Sequence, residues 1–227
     1  MPRESFDRHI HHIQDEVLLL GSMVEQAMMS ALDAIRLRDF NLARRIIRDD
    51  QQINDKRYAI ENAILILIAT QQPVAHDLRL VAAVLEIIIE LERMGDYAKG
   101  IAQVVLRIGD APIFIPVQEY QEMGAKAVSM LHRALDAFVK EDARMASIIY
   151  LEDDFIDDIY KRVEAMVIQN IIANPQTCDV ATALIWAAHN LERMGDRVTN
   201  ICERTIFINT GEQLELDSIN PDDDDPE

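Results

Sequence analysis

The hexapeptide Leu-Glu-Arg-Met-Gly-Asp occurs twice, at residues 91–96 and again, residue for residue, at 191–196. Each copy sets two acids four positions apart, Glu92 with Asp96 and Glu192 with Asp196. On a helix that spacing projects both carboxylates from one face, about 6 Å apart along the axis. Like charges so placed repel, which calls for a cation between them: an arginine or lysine from a neighbouring helix, or a metal ion. Two more pairs share the spacing, Asp50 with Asn54 and Asp153 with Asp157. If the intervening chain is a helical hairpin, a turn centred on Pro73 sets Asp50 level with Asp96 and Asn54 level with Glu92. A turn between Asn174 and Pro175 does the same for Asp153 with Asp196 and Asp157 with Glu192. Two quartets of oxygen-bearing side chains follow, each suited to a hard or borderline cation such as Fe, Mn, Mg or Zn. The competing reading gives these acids to arginines such as Arg48, Arg57, Arg93 and Arg193, with duplication alone copying the pattern.

The elements that must position these residues are legible from periodicity. Ile10, Ile13, Val17, Leu20, Val24, Ala27 and Ala31 recur at three- and four-residue steps, the seam of a long helix reaching about Leu37. Asp39 is a natural N-cap for a second helix that must stop near Pro73, and a third runs from about Asp77 to Gly109. Pro112 and Pro116 then bracket an extended connector. The pattern restarts with Met123, Ala127, Met130, Ala134 and Ala137; Asp142 caps a fifth helix ending at Asn174-Pro175, and Asp179 opens a sixth reaching about Ile208. Residues 31–35, Ala-Leu-Asp-Ala-Ile, return as Ala-Leu-Asp-Ala-Phe at 134–138, so the chain is an internal repeat. The expected architecture is all-α: two tandem three-helix bundles at 1–109 and 118–210, joined by a linker at 110–117 and packed side by side.

Composition narrows function. The 227 residues carry 22 Lys and Arg against 40 Asp and Glu, a net charge of −18, with 49% apolar positions. Such a surface disfavours nucleic acid and anionic lipid, whose phosphates need a basic footprint. Eight of the acids lie in residues 211–227, which contain no base and read as a disordered, solvated tail. No uninterrupted apolar run approaches the ~18 residues that span a bilayer, and the N-terminal stretch lacks an apolar signal core, so a cytoplasmic protein is expected. Cys178 and Cys202 fall on helical apolar patterns and read as buried thiols.

Catalytic signatures are scarce. A ferritin-like di-iron oxidase needs Glu-x-x-His pairs, and none exists; there is no Gly-x-Ser-x-Gly elbow and no Cys-x-x-Cys pair. The segment Gly95-Asp96-Tyr97-Ala98-Lys99-Gly100 imitates a phosphate-loop spacing but lacks the Lys-Ser/Thr pair and sits within a helix. His9, His11 and His12 cluster near an expected frayed terminus, and His189, one turn before Glu192, is either a ligand of the second quartet or a satisfied interior histidine. A non-enzyme is the expectation.

The doubled hexapeptide, together with Gln72-Pro73 followed by Asp77-Leu78-Arg79-Leu80 and with Met23-Val24-Glu25-Gln26, closely resembles the PhoU family over residues 5–208. The resemblance implies two similar three-helix bundles in a cytoplasmic protein often found as a homodimer. It further implies a negative regulator of phosphate uptake and phosphate-starvation signalling, contacting the phosphate ABC transporter's ATPase subunit and the phosphate-sensing histidine kinase. Family members carry metal ions, some in multinuclear clusters, on E/D-x-x-x-D motifs. Here that pattern falls on Glu92/Asp96, Glu192/Asp196 and Asp153/Asp157, and Asn54 leaves the first quartet one carboxylate short.

Overall fold

The structure is a computed structural model that describes residues 2–212. The expected acidic tail beyond Glu212 lies outside the described residues. Among them there are seven α-helices, one 3-10 turn and no strand: α1 (Pro2–Leu37), α2 (Phe40–Gln71), α3 (His76–Ile108), α4 (Val117–Lys140), α5 (Ala143–Tyr150), α6 (Asp154–Ala173), the turn Pro175–Thr177, and α7 (Cys178–Thr210). The caps read from sequence hold: Asp39 accepts hydrogen bonds from the Asn41 and Leu42 amides, and Asp142 from the Met145 amide. At the end of α2, Gln72 turns left-handed one residue before Pro73.

The expected fifth helix is two helices. Around residues 151–153 the backbone bonds become i to i−3: the amides of Glu152, Asp153, Phe155 and Ile156 donate to the carbonyls of Ile149, Tyr150, Glu152 and Asp153. This tighter winding advances each residue by about 120° instead of 100°. It lets adjacent side chains serve different neighbours, Glu152 reaching the α4 cations Lys126 and Arg133 while Asp153 turns onto Gly195 of α7. The corresponding Arg48-Asp49-Asp50 stretch of the first repeat stays helical throughout.

The two repeats share one core. α3 and α7, the helices bearing the repeated hexapeptide, pack along each other, and α1 crosses α4. The contacts come in exchanged pairs. A Cβ on Gly21 would meet Leu135, and a Cβ on Gly124 would meet Leu32, each at 2.2 Å. Only glycine admits a leucine end there without displacement. α1 is the one helix among the described residues long and apolar enough to cross a membrane by length and composition. Its Val17, Leu20, Val24, Met28 and Ala31 stripe is fully buried, however, as in a core helix. The 109–117 connector is clamped, since Arg38 donates to the Ala111 and Ile113 carbonyls at 2.7 and 3.0 Å.

Between the hexapeptide helices lies a polar knot. Glu90 Oε2 accepts from Arg197 Nη1 at 3.0 Å and from Asn200 Nδ2 at 3.1 Å, with both charged side chains only 12% exposed. Removing one partner strands the other in low dielectric. Replacing Glu90 by Ala is therefore expected to lower the unfolding free energy by about 3 kcal/mol. The E90A/R197L double variant should recover much of that loss in urea denaturation; equal losses in the single and double variants would mean that the pair is solvated.

Candidate metal centres

Both quartets assemble on the hairpins read from sequence, α2 with α3 and α6 with α7, but they are neutralised differently. In the first, Lys99 of α3 donates to Asp50 Oδ2 at 2.8 Å and to Asp96 Oδ1 at 3.3 Å. The hydrogen bond to Asp50 is the main reason the Lys99 ammonium is held above its ordinary range. Asn54 donates to the Asp50 carbonyl at 3.4 Å, so its side chain is turned back onto its own helix. Glu92 is raised by burial first and then by Asp96, with Arg57 opposing.

In the second quartet the residue one repeat on from Lys99 is Thr199, whose hydroxyl donates to the Asp196 backbone carbonyl at 2.8 Å. Asp153, Asp157, Glu192 and Asp196 are coupled to one another, with Arg193 at 3.7 Å and Arg197 at 3.8 Å from Asp196, His189 at 3.2 Å from Glu192, and Lys161 near enough to Asp157 to oppose its rise. Burial, followed by Asp196 and Asp157 and then Glu192, pushes Asp153 up to about 7. Burial followed by Asp196 and Asp157 does the same to Glu192, also to about 7. Asp157 is raised by burial and then by Asp196.

The fit to a cation can be read atom by atom. Asp153 Oδ1 and Glu192 Oε2 are buried without a hydrogen-bond partner; the His189 contact lies within ion-pair distance but is not aligned as a hydrogen bond. A Cβ on Gly195 would stand 2.2 Å from Asp153 Oδ1, so glycine is what admits this carboxylate to the α7 backbone. Tyr150, Leu151, Asp154, Thr199 and Asn200 help to line an open cavity of about 320 Å³ over Asp153, Asp157 and Asp196. The carboxylates stand apart: among the described residues no three His, Cys, Asp or Glu side chains converge tightly enough to ligate one ion. In residue type, a set of four oxygen donors is what a hard cation takes.

Of the arginines that competed for these acids, Arg57 bonds Glu61, Arg93 bonds Glu90 and Arg48 meets Asp49, so only Arg193 touches a quartet member directly. The cation that matters in the first repeat, Lys99, was missed as such; the sequence signal was the Lys99/Thr199 difference within otherwise matched segments. His9, His11 and His12 lie on α1 and are exposed, so the terminus is helical where fraying was expected. Cys178 is exposed, contrary to expectation, because α7 begins there before its buried stripe does. Cys202 is buried, and burial pushes its thiol up to about 12.

Comparison with known proteins agrees with the doubled motif. The PhoU domain family matches residues 17–105 and 120–205. The phosphate-specific transport system accessory protein PhoU homolog of Clostridium acetobutylicum is 36% identical over 217 residues, covering 95% of this chain and 99% of that one. The phosphate-specific transport system accessory protein PhoU of Escherichia coli K12 is 33% identical over 209 residues, covering 92% and 87%. The crystal structure of the phosphate transport system regulatory protein PhoU from Streptococcus pneumoniae superposes with a TM-score of 0.87 at 32% identity, covering 93% of this chain and all of that one. PhoU from Pseudomonas aeruginosa gives 0.84 at 30% identity, covering 91% and all of that chain.

The raised acids carry a pH signature. Asp153 and Glu192 bind protons more tightly folded, at about 7, than unfolded, near 4. Folding is therefore most favoured below the unfolded value, and that advantage is lost as pH rises through 7. In chelator the melting midpoint is expected to fall by roughly 5 °C between pH 5 and pH 8, and by markedly less in D153N/E192Q. A wild-type midpoint that is flat over this range would remove the repulsive cluster.

Proposed function

The chain belongs to the PhoU domain family, and from that premise we propose that it is a metal-binding regulatory adaptor that restrains phosphate uptake and phosphate-starvation signalling. The relatives' names support an accessory role in phosphate transport. In this reading the protein works in the cytoplasm as a homodimer, without catalysing a reaction. It contacts the ATPase subunit of the phosphate ABC transporter and the phosphate-sensing histidine kinase.

The observation that carries metal binding is the second quartet: four carboxylates, two buried oxygens without hydrogen-bond partners, and Thr199 in place of the lysine that closes the first. Asp153, Asp157, Glu192 and Asp196 would hold the ion, whether Fe, Zn, Mn or Mg. A bound cation supplies positive charge in a field that otherwise repels anions. This chain's own residues hold the backbone and the acids in place. Gly195 admits Asp153, the overwound turn aims it, and Arg197, held by Glu90, keeps the α3 side of the cluster fixed. In the first quartet, Asp50, Asn54, Glu92 and Asp96, an internal ammonium does the work of the ion, so each bundle takes a different one of the two solutions open to its acids.

Elemental analysis of untagged, chelator-free protein tests this. About one equivalent or more of metal is expected per chain, lost in D153N/E192Q/D196N with helicity retained; a K99T/N54D variant should gain metal at the first quartet. Protein that stays metal-free on reconstitution while still restraining phosphate uptake in cells would leave an adaptor acting through helix surfaces alone. In cells, the triple variant should release phosphate-responsive expression under ample phosphate.

A further inference from the structure

A cavity of about 490 Å³ opens between α1 and α2 and reaches Gly95 of α3. Met23, Ser30, Asp49 and Gln52 are on its wall. The second repeat shows what fills the same place there. By internal alignment these four positions become Lys126, Arg133, Glu152 and Phe155. There the Lys126 ammonium lies 2.6 Å and the Arg133 guanidinium 2.7 Å from a single Glu152 oxygen, and Lys126 also sits 5.6 Å from the centre of the Phe155 ring. These cations outweigh the cost of burial and hold Glu152 below its usual range. The first repeat keeps the acid and lacks both cations.

Asp49 is left with Arg48, a largely exposed neighbour at 3.4 Å. Asp50, only 7% exposed, lies at the cavity floor with Oδ1 lacking a hydrogen-bond partner while Lys99 holds Oδ2 from the other side. Arg45, one helical turn before Asp49 on the same wall, is exposed to solvent and offers the pair only screened compensation. Around the acids the lining combines Met23, Ala27, Leu42, Ile46 and Ile53, an apolar bed for an aliphatic stem. The volume falls in the range of small-molecule sites.

We infer that this cavity is a binding site for an aliphatic organic cation, an alkylguanidinium or alkylammonium that takes the place Lys126 and Arg133 occupy in the second repeat. Its charged head meets Asp49 above the buried Asp50 carboxylate, and its stem lies along Met23 and Ile46. The site shares Asp50 with the first quartet and is separate from the second, to which the metal is assigned, since that quartet lies on the other bundle.

The test is titration of full-length, isotopically labelled protein with agmatine in one arm and with a short arginine-bearing peptide in the other, in chelator and at constant ionic strength. Saturable amide shifts around residues 22–30 and 42–53 are expected. D49N should weaken binding by about tenfold or more. M23K/S30R, which restores the second repeat's cations, should abolish the response while keeping its helical spectrum. Preference for agmatine identifies a free small cation, and preference for the peptide identifies a side chain presented by a polypeptide. No saturable shift with either probe, or an undiminished response in both variants, overturns the proposal.

Discussion

Everything in this molecule hangs on the antiparallel packing of α3 against α7. Each of these helices is the inner member of its own hairpin, so each is covered on one side by its bundle and on the other by its counterpart. Neither three-helix unit would bury enough apolar surface alone to be robust, and the seam joins both into one core. Burial here sets severe terms. Glu90 finds its partners across the seam in Arg197 and Asn200, while the Asn190 amide nitrogen and Arg197 Nε are buried without a hydrogen-bond partner. The opposite crossing, Gly100 against Asn190, is so close that a Cβ would stand 2.7 Å from the amide nitrogen.

Duplication explains the pairs, and divergence explains the chemistry. Gly21 with Leu135 and Gly124 with Leu32 are one contact made twice under an approximate twofold, which fixes α1 and α4 at close range. Because the backbone scaffold is copied, a difference of one side chain becomes a difference in which charges are paired. Lys99 against Thr199 decides whether a quartet carries its own cation. Met23 and Ser30 against Lys126 and Arg133 decide whether an acidic groove is filled or open. The two exchanges run in opposite senses: each bundle closes one of its acidic sites with its own side chains and leaves the other without such a cation.

The broken helix between α5 and α6 belongs to the same logic. Glu152 and Asp153 are adjacent in sequence but answer to different helices, and an α-helical step of 100° would misdirect one of them. A few i to i−3 bonds resolve the conflict locally, at the point where the carboxylate must approach Gly195. In the first repeat Asp49 makes no such demand, and α2 runs through unbroken.

Much was determined by the sequence alone. Heptad spacing, the Asp39 and Asp142 caps and the prolines at 73 and 175 specify where helices begin, end and turn back, because periodicity and capping are local properties of the chain. The repeated hexapeptide then sets both quartets level by hairpin arithmetic, and it also carries the family resemblance. What sequence could not decide was which cation answers each set of acids. Arg48, Arg57 and Arg93 were equally placed by number, yet they point along their own helices, while Lys99 reaches inward. Nor could it show that Met23 and Ser30 leave a cavity or that residues 151–153 overwind. These depend on rotamers and on distances between helices far apart in the chain, which only the packed tertiary structure fixes.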